Sequence, residues 1–276
     1  VAATTVDGYF EAIAPYWRDI YGISGVQAEI YRERHTAALD WVAGLAAPRG
    51  ARALEIGCGA GFLAVAMARL GYRVEAIDSS QAMVELAQRT AATAQLTSQI
   101  RVDLGDAYAL PFPGESFDLV VAIGLLPWLP RVEPAILEVA RVLKPGGHAI
   151  LHADNWARLN TFLDPKSNLI LAPLKHRLKA VLVRFGLHHQ APYPNPTFHR
   201  RRFIDETLAR VRLVKVRSRT IGFGPFSLFG RVVIPEPVGT TLHRRLQHLA
   251  DEGVPLLRST GGHYIVLAEK ASTGPA

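Results

Sequence analysis

The sequence predicts an α/β fold built on a parallel sheet with helices on both faces. Three observations carry this expectation. Short apolar runs alternate with helix-period runs from Ala51 to His152, the pattern of strands joined by crossover helices. One of these runs, Phe117–Ile123, is apolar almost throughout, as expected of a strand buried on both faces. The first run, Ala51–Ile56, ends in a glycine-rich turn that opens a helix, the junction at which such sheets take their ligands.

The elements follow in chain order. Residues 8–47 read as helical, because Tyr9, Phe10, Ile13, Tyr16, Trp17 and Ile20 recur at helical spacing. A break at Gly22 to Gly25 precedes a second helical run over Val26 to Leu45, and Pro48-Arg49-Gly50 makes a loop. Ala51–Ile56 is the first strand, followed by a helix at Phe62–Leu70 closed by Gly71. Arg73–Ile77 is the second strand and ends at Asp78, with Ser79 and Ser80 as capping candidates for a helix at Gln81–Thr93. Strands follow at Ile100–Leu104 and Phe117–Ile123, then a helix at Glu133–Leu143 stopped by Lys144-Pro145-Gly146-Gly147, then a fifth strand at His148–His152. Alternation fails between Asn155 and Arg202. That stretch holds Pro192, Pro194 and Pro196 and an amphipathic segment, with Leu171, Leu174, Leu178, Val181, Leu182 and Phe185 on one face. Lys175, Lys179 and Arg184 fall mostly on the other face. A helix at Ile204–Ala209 and strands at Leu213–Arg219 and His263–Ala268 complete the pattern. The expected organisation is a helical cap (1–50), a core (51–155), an insert (156–202), a C-terminal part of the core sheet (203–270) and a tail (271–276).

With 276 residues, 49% of them hydrophobic and 20% charged, the chain can bury a large core and does not read as disordered. The single cysteine, Cys58, excludes an internal disulfide framework and a multi-cysteine zinc site, and fits a reducing compartment. Val1 to Gly8 carries no signal-peptide pattern and no apolar run reaches bilayer length, so a cytoplasmic location is expected. The net charge of +7 is uneven. Residues 1–150 hold 12 Lys and Arg against 16 Asp and Glu; residues 151–276 hold 19 against 8. The basic half suits an anionic substrate, an acidic membrane surface or nucleic acid, or is a solvated face.

Chemistry concentrates at the ends of the strands. In Leu54-Glu55-Ile56-Gly57-Cys58-Gly59-Ala60-Gly61-Phe62, three glycines on alternate residues let the backbone turn sharply and approach a ligand closely. Dinucleotide loops space their third glycine one residue later and cradle a diphosphate. An anionic Glu55 opposes a diphosphate and suits a cation instead. Asp78, about 20 residues beyond the first glycines, is placed to bind ribose hydroxyls. Asp106, in Gly105-Asp106-Ala107, is placed to accept from an adenine amino group while the Ala107 N–H bonds the ring; a turn-forming aspartate is the alternative.

Together these residues resemble the class I S-adenosylmethionine (SAM)-dependent methyltransferases, especially the group that includes the ubiquinone and menaquinone biosynthesis enzymes. The resemblance covers residues 51–152 and includes Asp78-Ser79-Ser80, Leu110-Pro111-Phe112, Ser116-Phe117-Asp118-Leu119-Val120 and Arg141-Val142-Leu143-Lys144-Pro145-Gly146-Gly147. It implies a Rossmann-like, seven-stranded, mostly parallel sheet of order 3-2-1-4-5-7-6 whose last strand, around His263–Ala268, is antiparallel. It implies SAM as cofactor and S-adenosylhomocysteine as product. Glu55 then meets the methionine ammonium, Ser79 lies beside the ribose site, Met83 packs on the adenine and Ile123 lines the cofactor site. Residues 9–42 are also similar to the helical cap of magnesium-protoporphyrin methyltransferases (Tyr9-Phe10, Trp17-Arg18, Ile20-Tyr21, Leu39-Asp40-Trp41), whereas the segment after Asn155 departs from that group.

The expected reaction is methylation of a small, lipophilic or anionic metabolite, at oxygen first and carbon next. His152, after the fifth strand, is a candidate general base or a hydrogen-bonded structural histidine. Trp128 and Asp154 are candidates to wall the acceptor pocket, and Tyr16 and Trp17 to close it from the cap. His199, with Arg200, Arg201 and Arg202, is a candidate to engage an anion. His188 and His189 lack acid or cysteine partners, so no metal site is expected. The insert at 156–202 reads as a lid, as a surface helix touching a membrane peripherally, or as cover for the sheet edge. Nucleic-acid methylation is the weaker alternative, because Gly124-Leu125-Leu126-Pro127-Trp128 stands where amino-methylating enzymes carry N/D-P-P-Y/F. A SAM-binding enzyme that does not methylate, such as a cyclase, also fits the cofactor motifs. Oligomeric state is not legible.

Overall fold

The computed structural model describes residues 6–20, 22–45, 47–166, 168, 177 and 194–272. Seven strands carry the architecture: β1 (Arg52–Ile56), β2 (Arg73–Asp78), β3 (Ile100–Leu104), β4 (Phe117–Ala122), β5 (Leu143–Asn155), β6 (Leu213–Ile221) and β7 (His263–Lys270). They stand in the order β3-β2-β1-β4-β5-β7-β6, and the first five are parallel. β7 runs antiparallel to both neighbours. The expected Rossmann-like order and the reversed last strand are therefore realised. A two-residue strand, Phe198–His199, adds to the end of β5 alongside Asp154 and Asn155.

The helices are α1 (Val6–Ala12), α2 (Ala14–Asp19), α3 (Val26–Gly44), α4 (Phe62–Arg69), α5 (Gln81–Thr93), α6 (Val132–Val142), α7 (Leu159–Leu163), α8 (Arg201–Arg210), α9 (Glu236–Asp251) and α10 (Leu257–Thr260). Strand alternation divides the core into two layers. Ala53, Leu119, Val121 and Ile150 face one cluster with Trp41 of α3, Leu63 of α4 and Val84 of α5. Leu54, Val120, Ala149 and Leu151 face the other with Ile136 of α6 and Ile204 of α8. Each such large side chain, fully buried, contributes about 1.5–3 kcal/mol. Covering both faces explains the apolar run in β4 and holds the strand ends, where the site forms, on a rigid base.

The structure corrects several sequence expectations. β5 begins at Leu143, directly after α6, so Lys144-Pro145-Gly146-Gly147 lies within the strand. The register of β4 and β5 shifts between Phe117 and Leu119 to accommodate it. α9 is absent from the sequence expectations. Its signal is a proline in the first turn with Leu242, Leu246 and Ala250 spaced four apart. Of the two capping candidates, Ser80 caps α5 by accepting from the Met83 N–H. The amphipathic face from Leu171 to Phe185 and the pair His188-His189 lie outside the described residues. No helix among the described residues is long and apolar enough to cross a membrane.

Candidate active site

The glycine-rich loop folds around the end of β2. Gly57 and Cys58 donate to the Ile77 carbonyl at 2.8 and 3.0 Å, and Gly59 donates to Asp78 Oδ2 at 2.9 Å. Gly57, Gly59 and Gly61 all have positive φ. A Cβ on Gly61 would come within 2.9 Å of Ala87 Cβ, whereas one on Gly59 would meet no protein atom within 4 Å. The last glycine thus serves helix packing, and the middle one leaves open space beside the loop.

That space is a cavity of about 670 Å³. Its lining includes Glu55, Gly57, Gly59, Asp78, Ser79, Met83, Asp106, Ala107 and Ile123, so these predicted cofactor residues converge on one hollow, while Gly61 stands behind the loop. Asp78 also braces the loop, since besides Gly59 it accepts from the Ser80 N–H at 3.0 Å. Burial raises its pKa, an effect the backbone N–H bonds oppose. Asp106 Oδ1 accepts from the Tyr108 N–H at 2.9 Å, the turn-forming alternative, while lining the cavity. Ser79 Oγ donates to Asp7 Oδ1 at 2.6 Å and ties α1 to the core. Phe10 and Trp17, from the cap, pack on the buried Met83.

Two ionisable groups in this cavity are short of partners. Glu55 is 4% exposed, its Oε2 has no hydrogen-bond partner among the described residues, and burial holds its pKa well above the usual carboxylate range. Arg34, on α3, is 6% exposed and has no hydrogen bond or ion pair among the described residues, only a stacking contact with the Tyr31 ring at 4.7 Å. Buried charges without partners are costly. An acid with one free oxygen and an unpaired guanidinium in one cavity are complementary to an ammonium and a carboxylate, the two charges of an amino acid. Sequence reasoning missed Arg34; its only signal was an arginine inside a helical run.

At the other side of the cavity the antiparallel register sets His263 opposite Asp154. His263 Nδ1 lies 3.0 Å from Asp154 Oδ1 and 2.9 Å from His152 Nε2. His152 is 1% exposed, and its Nδ1 accepts from the Gly124 N–H at 3.1 Å. Burial pushes its pKa well down, helped by Arg34 and His263, so the ring is neutral and its proton sits on Nε2. His152 therefore has no lone pair left for a substrate, which corrects its expected role as base. The same proton opposes metal ligation by this His–Asp–His group, since a ligating histidine donates from its other nitrogen. The His152 Nε2–H therefore faces His263 Nδ1, which also lies 3.0 Å from Asp154 Oδ1, and the tautomer of His263 sets which of the two it pairs with. His263 Nε2 has no hydrogen-bond partner among the described residues, and the residue lines the cavity.

Trp17, Trp128 and Asp154 line the cavity, and Trp128 packs edge-on against Phe10 at 5.1 Å. Tyr16 does not. It is 42% exposed and stacks edge-on against the far side of Trp17 at 5.6 Å. His199 is also outside, because pairing beside Asn155 carries it along the sheet edge, where it stacks on Phe203 at 5.7 Å. Arg200 stacks on Trp156 and Arg202 pairs with Glu206, so that basic run faces solvent and neighbours.

Residues 54–151 match the methyltransferase domain family. A ubiquinone biosynthesis O-methyltransferase from Xanthomonas campestris pv. campestris is 32% identical over 188 residues, covering 68% of this chain and 73% of the relative. The chain belongs to the class I SAM-dependent methyltransferase superfamily. Magnesium protoporphyrin IX methyltransferase from Synechocystis PCC 6803, solved with bound S-adenosylhomocysteine, is 17% identical. It covers 98% of this methyltransferase and 100% of its own chain with a TM-score of 0.64. The [4+2]-cyclase SpnF is 18% identical, covers 98% of this chain and 96% of its own, and gives a TM-score of 0.61. These two likenesses show the fold, which by itself hosts both kinds of chemistry.

Proposed function

We propose that this methyltransferase methylates a small-molecule acceptor at oxygen, with SAM as donor, His263 as general base and Asp154 as the group that orients it. SAM, when bound, supplies an electrophilic methyl group on a sulfonium centre. Glu55 and Arg34 hold its amino-acid end by charge. Asp78, whose oxygens keep lone pairs beyond those used by Gly59 and Ser80, accepts from the ribose hydroxyls. Ser79 lies beside it, and Met83, Asp106, Ala107 and Ile123 surround the base.

His263 Nε2 takes the proton that the acceptor hydroxyl releases as its oxygen bonds the methyl carbon. The electron pair of the broken C–S bond stays on sulfur, leaving an ether and S-adenosylhomocysteine. Asp154 stabilises the imidazolium that forms, and His152, with Nε2 2.9 Å from His263 Nδ1 and 3.4 Å from the carboxylate, packs against the pair. The carrying observation is that His263 lines the cavity with Nδ1 3.0 Å from Asp154 Oδ1; the base form is the tautomer with its proton on Nδ1, reached when the His152 N–H turns from that nitrogen to the carboxylate. In-line placement of acceptor and methyl supplies much of the remaining rate.

The test is calorimetric titration with SAM, followed by incubation with methyl-labelled SAM and a panel of small hydroxylated compounds. The reading expects micromolar SAM binding, S-adenosylhomocysteine release and label recovered as an ether methyl. Label recovered on carbon overturns the oxygen assignment. Folded protein that fails to bind SAM overturns the whole reading.

A further inference from the structure

A second cavity, of about 330 Å³, lies against the first and shares Tyr31, Asp154 and His263 with it. The proposed base thus forms part of the partition between the two. Arg158 lines this second cavity together with Phe198 and Asn160. Its guanidinium sits 4.0 Å over the Phe198 ring, and its Nε makes a long 3.4 Å contact with Thr161 Oγ1. Neither terminal nitrogen has a hydrogen bond or an ion pair among the described residues. The two acids nearest in charge are otherwise engaged: Asp154 with His263, and Asp164 with Ser227 Oγ at 2.6 Å and the N–H groups of Gly230 and Lys166. Asn160 is spent on the Pro225 carbonyl at 2.6 Å.

We infer that this second cavity is the acceptor site and that Arg158 binds an oxyanion of the acceptor, a carboxylate or a phosphate, while the acceptor hydroxyl reaches His263. The inference rests on the methyl-transfer reading and names its substrate class. Stacking on Phe198 covers one face of the guanidinium and leaves its planar edge for two parallel bonds to one anion. Partial burial lowers the Arg158 pKa, an effect Asp154 and Asp164 oppose, and an anion would restore the balance. Anchoring the acceptor at one end and deprotonating it at the other fixes its orientation across the partition. The basic half of the chain is then relevant to the substrate through Arg158 and not through Arg200 to Arg202.

The experiment uses benzoate and inorganic phosphate as separate probes, titrated into the whole protein alone and again saturated with S-adenosylhomocysteine. Wild type, Arg158→Gln and Arg158→Lys are compared. The expected result is millimolar binding of at least one probe, weakened at least tenfold in Arg158→Gln and less in Arg158→Lys, with S-adenosylhomocysteine affinity unchanged within about twofold. Binding of benzoate alone identifies a carboxylate acceptor, and binding of phosphate a phosphorylated one. No probe binding by wild type, or equal binding in all three proteins, overturns the inference. S-adenosylhomocysteine affinity, read separately on the same samples, reports on the methyl-transfer reading independently.

Discussion

His263 stands directly opposite Asp154 across the antiparallel β5–β7 pair, with Nδ1 3.0 Å from the carboxylate. A general base contributes about 10²–10⁴-fold to rate, so His263→Ala is expected to lower kcat within that range. Asp154→Asn keeps a hydrogen-bonding group but removes the charge that stabilises the imidazolium, and is expected to cost less. S-adenosylhomocysteine affinity should stay within about twofold in both. His152→Ala should instead act mainly on stability, by roughly 1–3 kcal/mol, because it leaves the partly buried Gly124 N–H unpaired and empties a fully buried site. Chelators should leave the rate unchanged. A larger kcat loss in His152→Ala than in His263→Ala, with both proteins folded, would sink the assignment.

Glu55 and Arg34 are expected to behave as a charge clamp for an amino-acid end. Glu55→Gln and Arg34→Met should each weaken SAM binding at least tenfold, about 1.4 kcal/mol. Methylthioadenosine, which lacks that end, should bind wild type and both variants alike. In the ligand-free protein, Glu55→Gln removes a buried group whose ionisation is opposed by its surroundings, so its Tm should rise by roughly 2 °C or more. Equal weakening of methylthioadenosine would show a general defect of the cavity and refute the clamp.

The sheet and most of the cofactor loop were legible because they depend on local signals. Apolar runs of strand length, glycines on alternate residues and an acid at the end of β2 each speak within a few residues. The fold class followed from their alternation, and the strand order from resemblance. His263 and Arg34 were not legible, because their roles arise from pairing and packing between distant segments. His263 opens an unremarkable apolar strand and acquires its partner only when β7 inserts beside β5. Arg34 sits in α3 among other charged residues and becomes unpaired only when the helix is laid over the cavity. His199 failed for the converse reason: a basic surrounding sequence suggested a ligand, but edge pairing took it away from the hollow.

Two glycines of one loop should respond differently to the same substitution. Gly61→Ala places a Cβ 2.9 Å from Ala87 Cβ and 3.0 Å from its Cα, and forcing α4 from α5 should destabilise by about 1–3 kcal/mol. Gly59→Ala meets no protein atom within 4 Å, so it carries only the strain of a positive φ, roughly 1–2 kcal/mol. Its methyl group enters the space proposed for the cofactor, and SAM affinity should fall more in Gly59→Ala than in Gly61→Ala. Urea unfolding and calorimetry on the two variants decide this; the reverse order of SAM affinities would place the ligand elsewhere.

Acid sensitivity should trace in part to His35, which lines the same cavity. Burial, with Arg34 adding to it, lowers its pKa from 6.5 to about 4. A histidine whose folded pKa is depressed stabilises the fold fully above its unfolded pKa, and that contribution is lost as pH falls from about 6.5 toward 4. At pH 5 the loss amounts to about 2 kcal/mol as an upper bound, since the ring is not completely enclosed. His152 acts in the same direction. Glu55 and Asp78 act in the opposite direction, because their raised pKa values favour the protonated, folded form as pH falls. Wild-type stability therefore mixes both signs, and the difference between wild type and His35→Gln isolates one of them. Urea unfolding at pH 7 and pH 5 should show a smaller loss of stability on acidification in His35→Gln than in wild type. Identical losses in the two proteins would show that His35 does not titrate with folding in this range.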